Sequence, residues 1–117
     1  MKILLLDDDQ SCLENLAYFL VDNGYQTSQY NDPEKAILAC RVEKFDVIIT
    51  DFLMPGRSGL QVLSSLADLF PKPYIIMISA CRDADMLEKL KKEGVHAFFP
   101  KPLNLKKLLK TLARLAG

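Results

Sequence analysis

Four short aliphatic runs punctuate the chain, Ile3 to Leu6, Val47 to Ile49, Tyr74 to Ile78 and Ala97 to Phe99, and none alternates with polar residues. Strands that are apolar on both faces need cover on both, which predicts a parallel sheet between two layers of helices. Tyr25 to Tyr30 is more polar and reads as a fifth strand at an edge. Between the runs, the apolar spacing changes to the three and four residues of a helix face. It does so at Leu13, Leu16, Ala17, Leu20 and Val21, and at Ala36, Ile37 and Cys40. It recurs at Leu60, Leu63, Leu66, Ala67 and Phe70, at Leu87 and Leu90, and at Leu105, Leu108, Leu109, Leu112 and Ala113. Asp32 before Pro33, Asp83 and Asn104 stand where helices start, and Gly24 and Gly94 where helices stop.

The order is therefore βαβαβαβαβα. Right-handed crossovers turn it into a three-layer, doubly wound α/β fold, (βα)5, with a five-stranded parallel sheet in the flavodoxin-like order 2-1-3-4-5. No repeat or linker interrupts the pattern, so one domain is expected over residues 1–117.

In such sheets the ligand crevice lies outside the carboxyl ends of the strands, where the winding reverses between strands 1 and 3. The polar residues at those ends are Asp7, Asp8 and Asp9, then Thr50 and Asp51, then Ser79, then Lys101. Asp9 reads as the cap of the first helix. Asp7 and Asp8 end a buried aliphatic strand and are costly there unless paired, so they read as a site. Three converging carboxylates raise one another's proton affinity unless a cation intervenes. With only hard oxygen ligands, magnesium or manganese fits better than zinc. A carboxylate nucleophile, a cation, a hydroxyl and an ammonium together suit phosphoryl transfer, giving an aspartyl phosphate.

Composition changes the picture little, and charge changes it more. The chain has 117 residues, half of them hydrophobic, and a formal charge of zero, which argues against disorder and against whole-chain polyanion binding. Yet residues 1 to 60 carry ten acids against five bases, and residues 82 to 117 nine bases against four acids. The acidic half reads as the site. The basic end reads as solvated helix faces, with a partner-binding face as the alternative. No apolar run approaches the roughly 18 residues of a membrane span, and the start, Met1-Lys2 and four aliphatics running into Asp7, Asp8 and Asp9, is expected to be neither a signal peptide nor an anchor. Cys12, Cys40 and Cys81 form no Cys-x-x-Cys pair, so they are expected as small core residues in a reducing, cytoplasmic setting. His96 is expected to be solvated and not a ligand.

With KILLLDDD, DVIITDFLMPGRSGLQVL, YIIMISA and AFFPKPL in this order, the chain resembles the receiver domain of two-component response regulators over essentially its whole length. The resemblance implies that Asp51 is the phosphoacceptor. It also implies that Asp8 holds the cation directly, Asp7 largely through water, and the backbone carbonyl of Leu53 as a further ligand. Ser79 corresponds to the hydroxyl that bonds the phosphoryl oxygens, and Lys101 to the lysine that pairs with the phosphate, with Lys101-Pro102 cis. Ser79 and Phe98 then form the switch: as Ser79 moves toward the phosphoryl group, Phe98 turns inward to fill the vacated space. Phe99 reads as an ordinary core aromatic.

Some positions depart from the family's commoner pattern. Arg57 and Ser58 replace methionine and aspartate, and Ser58 is expected to cap the third helix. Pro100 denies the last strand one N–H, which an edge strand tolerates. Leu53 and Cys81 occupy the positions that tune hydrolysis, and neither orients water well, so slow self-dephosphorylation is expected.

Three rivals are weighed. Haloacid-dehalogenase-type phosphatases also use an aspartate nucleophile and magnesium, but their second carboxylate is here Leu53, which leaves no acid for a leaving alkoxide. A flavodoxin-like electron carrier needs a phosphate-cradling loop after strand 1, where DDDQSC is anionic. A degenerate receiver acting only as a binding module lacks an acceptor or an acid pair, and neither is missing. No turnover of an external substrate is expected. The implied partners are a histidine kinase or histidine phosphotransfer protein docking near helix 1, and an effector, a missing output domain or a second copy reading helix 4, strand 5 and helix 5. Direct nucleic acid binding is not expected. The kinase, the input signal and whether the chain is stand-alone or the N-terminal part of a longer protein stay open.

Overall fold

The computed structural model describes residues 1–51, 53–54, 57–80 and 83–116, with the side chains of 53, 54 and 57–60 excepted. The elements run β1 (Lys2–Leu6), α1 (Gln10–Asp22), β2 (Gln26–Tyr30), α2 (Pro33–Val42), β3 (Val47–Asp51), β4 (Leu53–Met54), β5 (Arg57–Ser58) and α3 (Gly59–Leu66). They continue with β6 (Tyr74–Ser79), α4 (Ala84–Lys92), β7 (Ala97–Pro100) and α5 (Leu105–Ala116). Five strands pair in parallel in the order β2-β1-β3-β6-β7. Counting only these, the order is the expected 2-1-3-4-5.

Alternation along the central strands divides the core, because successive side chains point to opposite faces. Ile3, Leu5, Val47, Ile49, Ile76, Ile78 and Phe99 pack against Leu13, Ala17 and Leu20 of α1 and Leu108 and Leu112 of α5. On the other face Leu4, Leu6 and Ile48 meet Ala36, Ile37 and Cys40 of α2 with Val62 and Leu66 of α3. Ile75 and Met77 meet Leu63 and Leu90, and Phe98 is half-buried against this cluster. Removing a leucine side chain such as Leu20 or Leu108, both without exposed surface, costs about 2–5 kcal/mol at sites of this kind.

The caps are where the sequence puts them. Asp9, Asp32 and Asp83 accept first-turn N–H groups from their helices, and the Asn104 Oδ1 accepts from Lys107 N–H at 3.1 Å. Gly24 and Gly94 take φ of 91° and 112°, the left-handed turn conformation that suits a residue without Cβ.

Several expectations are corrected. The third helix ends at Leu66, and Phe70, read as part of its apolar face, is 91% exposed. Pro71 follows Phe70, and a residue before proline is pushed out of the helical region. An antiparallel pair, Leu53 with Ser58 and Met54 with Arg57, follows β3; two-residue strands leave no periodicity to read. Cys40 is buried, as expected, but Cys12 is exposed, because it sits off the Leu13, Ala17 and Leu20 stripe. Cys81 and the side chain of Ser58 lie outside the described residues.

His96 is exposed, yet its ring is engaged. The Ile75 N–H donates to His96 Nδ1 at 3.0 Å, and the imidazole stacks on Tyr74 with centroids 4.5 Å apart. The side chain supplies an acceptor at the point where β7 starts too late to offer a carbonyl.

Candidate functional site

Asp7, Asp8 and Asp51 meet where the sheet changes winding direction. Leu6 of β1 pairs with Thr50 of β3, so the residues next in each strand emerge together at the carboxyl ends. One carboxylate oxygen from each of the three lies within 4.8 Å of the others. Asp8 is exposed, Asp7 is half-buried and Asp51 is 7% exposed. An octahedral cation with oxygens at about 2.0–2.1 Å holds neighbouring ligands about 3 Å apart and opposite ones about 4 Å apart. The three side chains, all hard donors, could hold such an ion after a small contraction.

Lys101 reaches across from the loop after β7. Its Nζ donates to Asp51 Oδ2 at 2.8 Å, and its own N–H bonds the Ser79 carbonyl at 3.2 Å. The Lys101-Pro102 bond is cis. Pro100 lies opposite Ser79 on β7, an edge strand, as its missing N–H requires. Ser79 is 6% exposed at the end of β6. The structure thus brings Asp7, Asp8, Asp51, Ser79 and Lys101 to one end of the sheet. Leu53 is placed in the following short strand.

The electrostatics follow from crowding. Burial pushes the Asp7 carboxyl above its ordinary 3.8; the Asp9 N–H, donating at 3.0 Å, opposes this, the Asp51 charge adds to it, and Lys101 offsets part. Asp9 is displaced downward, chiefly by the N–H of Cys12, as suits a helix cap. The hydrogen bond to Asp51 raises Lys101 above its ordinary 10.5, more than burial lowers it. Three carboxylates against one ammonium leave the site anionic.

A family described as response regulator receiver domain matches residues 3–113. The chain belongs to this family. Phosphorylation on an aspartate is the family's general function, in two-component signalling. The chain is 31% identical over 108 residues to a response regulator receiver protein of Anaeromyxobacter, covering 92% of this chain and 45% of that one. It is 31% identical over 120 residues to Protein PilH of Pseudomonas aeruginosa, covering 99% and 98%. Among solved structures, the chemotaxis response regulator CheY4 of Vibrio cholerae superposes with a TM-score of 0.88 at 28% identity over 97% of both chains. This receiver therefore spans less than half of some curated relatives and nearly all of another.

Two features of the receiver's site had no role in the sequence reading. Thr50, 1% exposed, donates its hydroxyl to the Asp51 carbonyl at 3.0 Å. Gln10 accepts from Asn31 at 3.2 Å and donates to Glu14 at 3.0 Å, tying α1 to the loop after β2. The i, i+4 spacing of Gln10 and Glu14 was legible; the partner 21 residues away was not.

Proposed function

We propose that this receiver unit, spanning residues 1–117, takes a phosphoryl group onto Asp51 from a histidine kinase or histidine phosphotransfer protein. The reading is carried by Lys101 Nζ at 2.8 Å from an Asp51 carboxylate that shares its pocket with Asp7 and Asp8. Asp51 attacks phosphorus, the bond from phosphorus to the donor nitrogen breaks, and the product is an acyl phosphate. Magnesium, or manganese, held by Asp7, Asp8, Asp51 and the Leu53 carbonyl supplies neutralisation of phosphoryl oxygen charge when bound. Lys101 swings its ammonium from the carboxylate to a phosphoryl oxygen, and the Ser79 hydroxyl donates to another.

The switch we propose couples Ser79 to Phe98, which packs half-buried against the cluster of Met77 and Leu90. Ser79 moving outward opens room on that side of β7, and Phe98 fills it, altering the α4-β7-α5 surface. The donor docks over a cavity of about 330 Å³ whose lining includes Asp7, Cys12, Leu16, Lys101 and Leu103. Small phosphodonors are consumed, and no external phosphomonoester is turned over, since position 53 offers no acid. No helix among the described residues is long and apolar enough to cross a membrane; a cytoplasmic site of action is part of this proposal.

Labelling from acetyl phosphate with magnesium tests the reading. Wild type is expected to take label and Asp51→Asn to take none, whereas undiminished label on Asp51→Asn overturns the assignment.

A further inference from the structure

The cavity of about 330 Å³ beside the phosphoacceptor is continuous with it. Asp7 and Lys101 belong to its lining, and both stand next to Asp51: Lys101 Nζ at 2.8 Å, and Asp7 with an oxygen within 4.8 Å of the Asp51 carboxylate. Away from that rim the wall turns aliphatic, with Leu16, Ile78, Leu103 and Leu105. Ile78 is buried, and Leu16 and Leu103 pack partly buried against the core between the sheet and α1. An ammonium at one end and an apolar wall leading away from it suit an amphipathic anion. The volume lies at the low end of the about 300–1,000 Å³ of small-molecule sites, so the apolar part of such a ligand is short.

The chemistry of the acceptor narrows the class. Position 53 is leucine and supplies no acid, so a small phosphodonor must release a group that leaves as an anion. Carboxylates do, since carboxyl groups ionise near about pH 4. We propose that the cavity is an acyl-chain site, through which the receiver takes phosphoryl groups from acyl phosphates with short aliphatic chains in preference to acetyl phosphate. An Asp51 oxygen bonds to phosphorus and the bond from phosphorus to the bridging oxygen breaks. The electron pair stays on the released carboxylate, so no proton and no further reactant is needed. This rests on the reading of Asp51 as the phosphoacceptor and names a class of small donor for the same site.

Labelling by acetyl, butyryl and hexanoyl phosphate, compared at low donor concentration with magnesium, tests the proposal. The leaving carboxylates are alike, so a difference in rate reports on the chain. A methylene moved fully out of water is worth up to about fourfold, and in a cleft open on one side about twofold is expected, hence about tenfold or more from acetyl to hexanoyl. Asn15→Trp, which narrows the cavity from an exposed position on α1, should bring the hexanoyl to acetyl ratio close to one. Leu103→Asp should do the same by making the wall polar. The acetyl rate of each variant controls for folding. Binding is read separately by calorimetry with 2-oxoheptylphosphonate, whose phosphoryl group cannot transfer, expected to bind about tenfold more tightly than 2-oxopropylphosphonate. Rates independent of chain length, or an unchanged ratio in both variants, overturn the acyl-chain site and leave the cavity to a side chain of a protein donor. A wild type that takes no label from any donor overturns the function proposed above, whereas normal acetyl labelling without a chain effect overturns only this inference.

Discussion

Lys101 and Asp51, fifty residues apart, form the charged hydrogen bond of the site, with Nζ 2.8 Å from Oδ2. Asp51 is almost wholly enclosed, and the Lys101 side chain is 41% exposed, so the lysine can leave for an incoming phosphoryl group without crossing the core.

Lys101→Ala is expected to slow labelling of Asp51 by about 100-fold, the usual scale for losing one charged donor to a transition state. The same contact makes stability pH-dependent. Lys101 is raised by its bond to Asp51, so its contribution is whole below the unfolded value of about 10.5 and is lost as pH climbs through the higher folded value. Thermal unfolding on either side of pH 10.5 should show this loss in wild type and a flatter response in Lys101→Ala.

Asp7 runs the other way. Its pKa is raised first by burial, with the Asp51 charge contributing, so the folded protein holds this proton more tightly than the unfolded one. Ionised Asp7 therefore costs stability at neutral pH; the cost fades as pH falls through the folded value and is gone below 3.8. Asp7→Asn keeps an oxygen for the Asp9 N–H. It should raise Tm in EDTA by roughly a few degrees and abolish magnesium-dependent labelling. A lowered Tm counts against the burial account.

Phe98 has no hydroxyl to keep in water, so its inward position should be more populated than that of a tyrosine. NMR of Phe98→Tyr, with and without beryllofluoride, should show the ring shifted outward relative to wild type. An unchanged rotamer population removes support for the switch.

Leu53 stands two residues after Asp51 and cannot hydrogen-bond an attacking water. Radiolabel on wild type should decay slowly, and Leu53→Asn should shorten its lifetime. Faster loss from wild type than from Leu53→Asn contradicts this role.

Local sequence carried the strands, caps and strand order because burial on both faces and alternation admit few arrangements, and Asp7, Asp8, Asp51, Ser79 and Lys101 were legible as polar residues ending aliphatic runs. What it carried less well depends on where elements stop and on which groups are then left to pair. Phe70 matched the helix period but meets solvent, because Pro71 ends the helical geometry first. His96 looked like a loop residue until the late start of β7 left Ile75 N–H in need of an acceptor. Thr50 drew no role, since sequence does not tell whether a buried hydroxyl turns back on its own strand, as this one does to the Asp51 carbonyl.

Periodicity and punctuation, which act over a few residues, determined the layers of this protein and the end of the sheet at which its polar groups gather. The assembled sheet alone set which oxygen Lys101 bonds, how deeply Asp51 is enclosed beside Asp7 and Asp8, and that Cys40 is buried while Cys12 is exposed. Those outcomes turn on distances between segments that approach one another only once the sheet has formed.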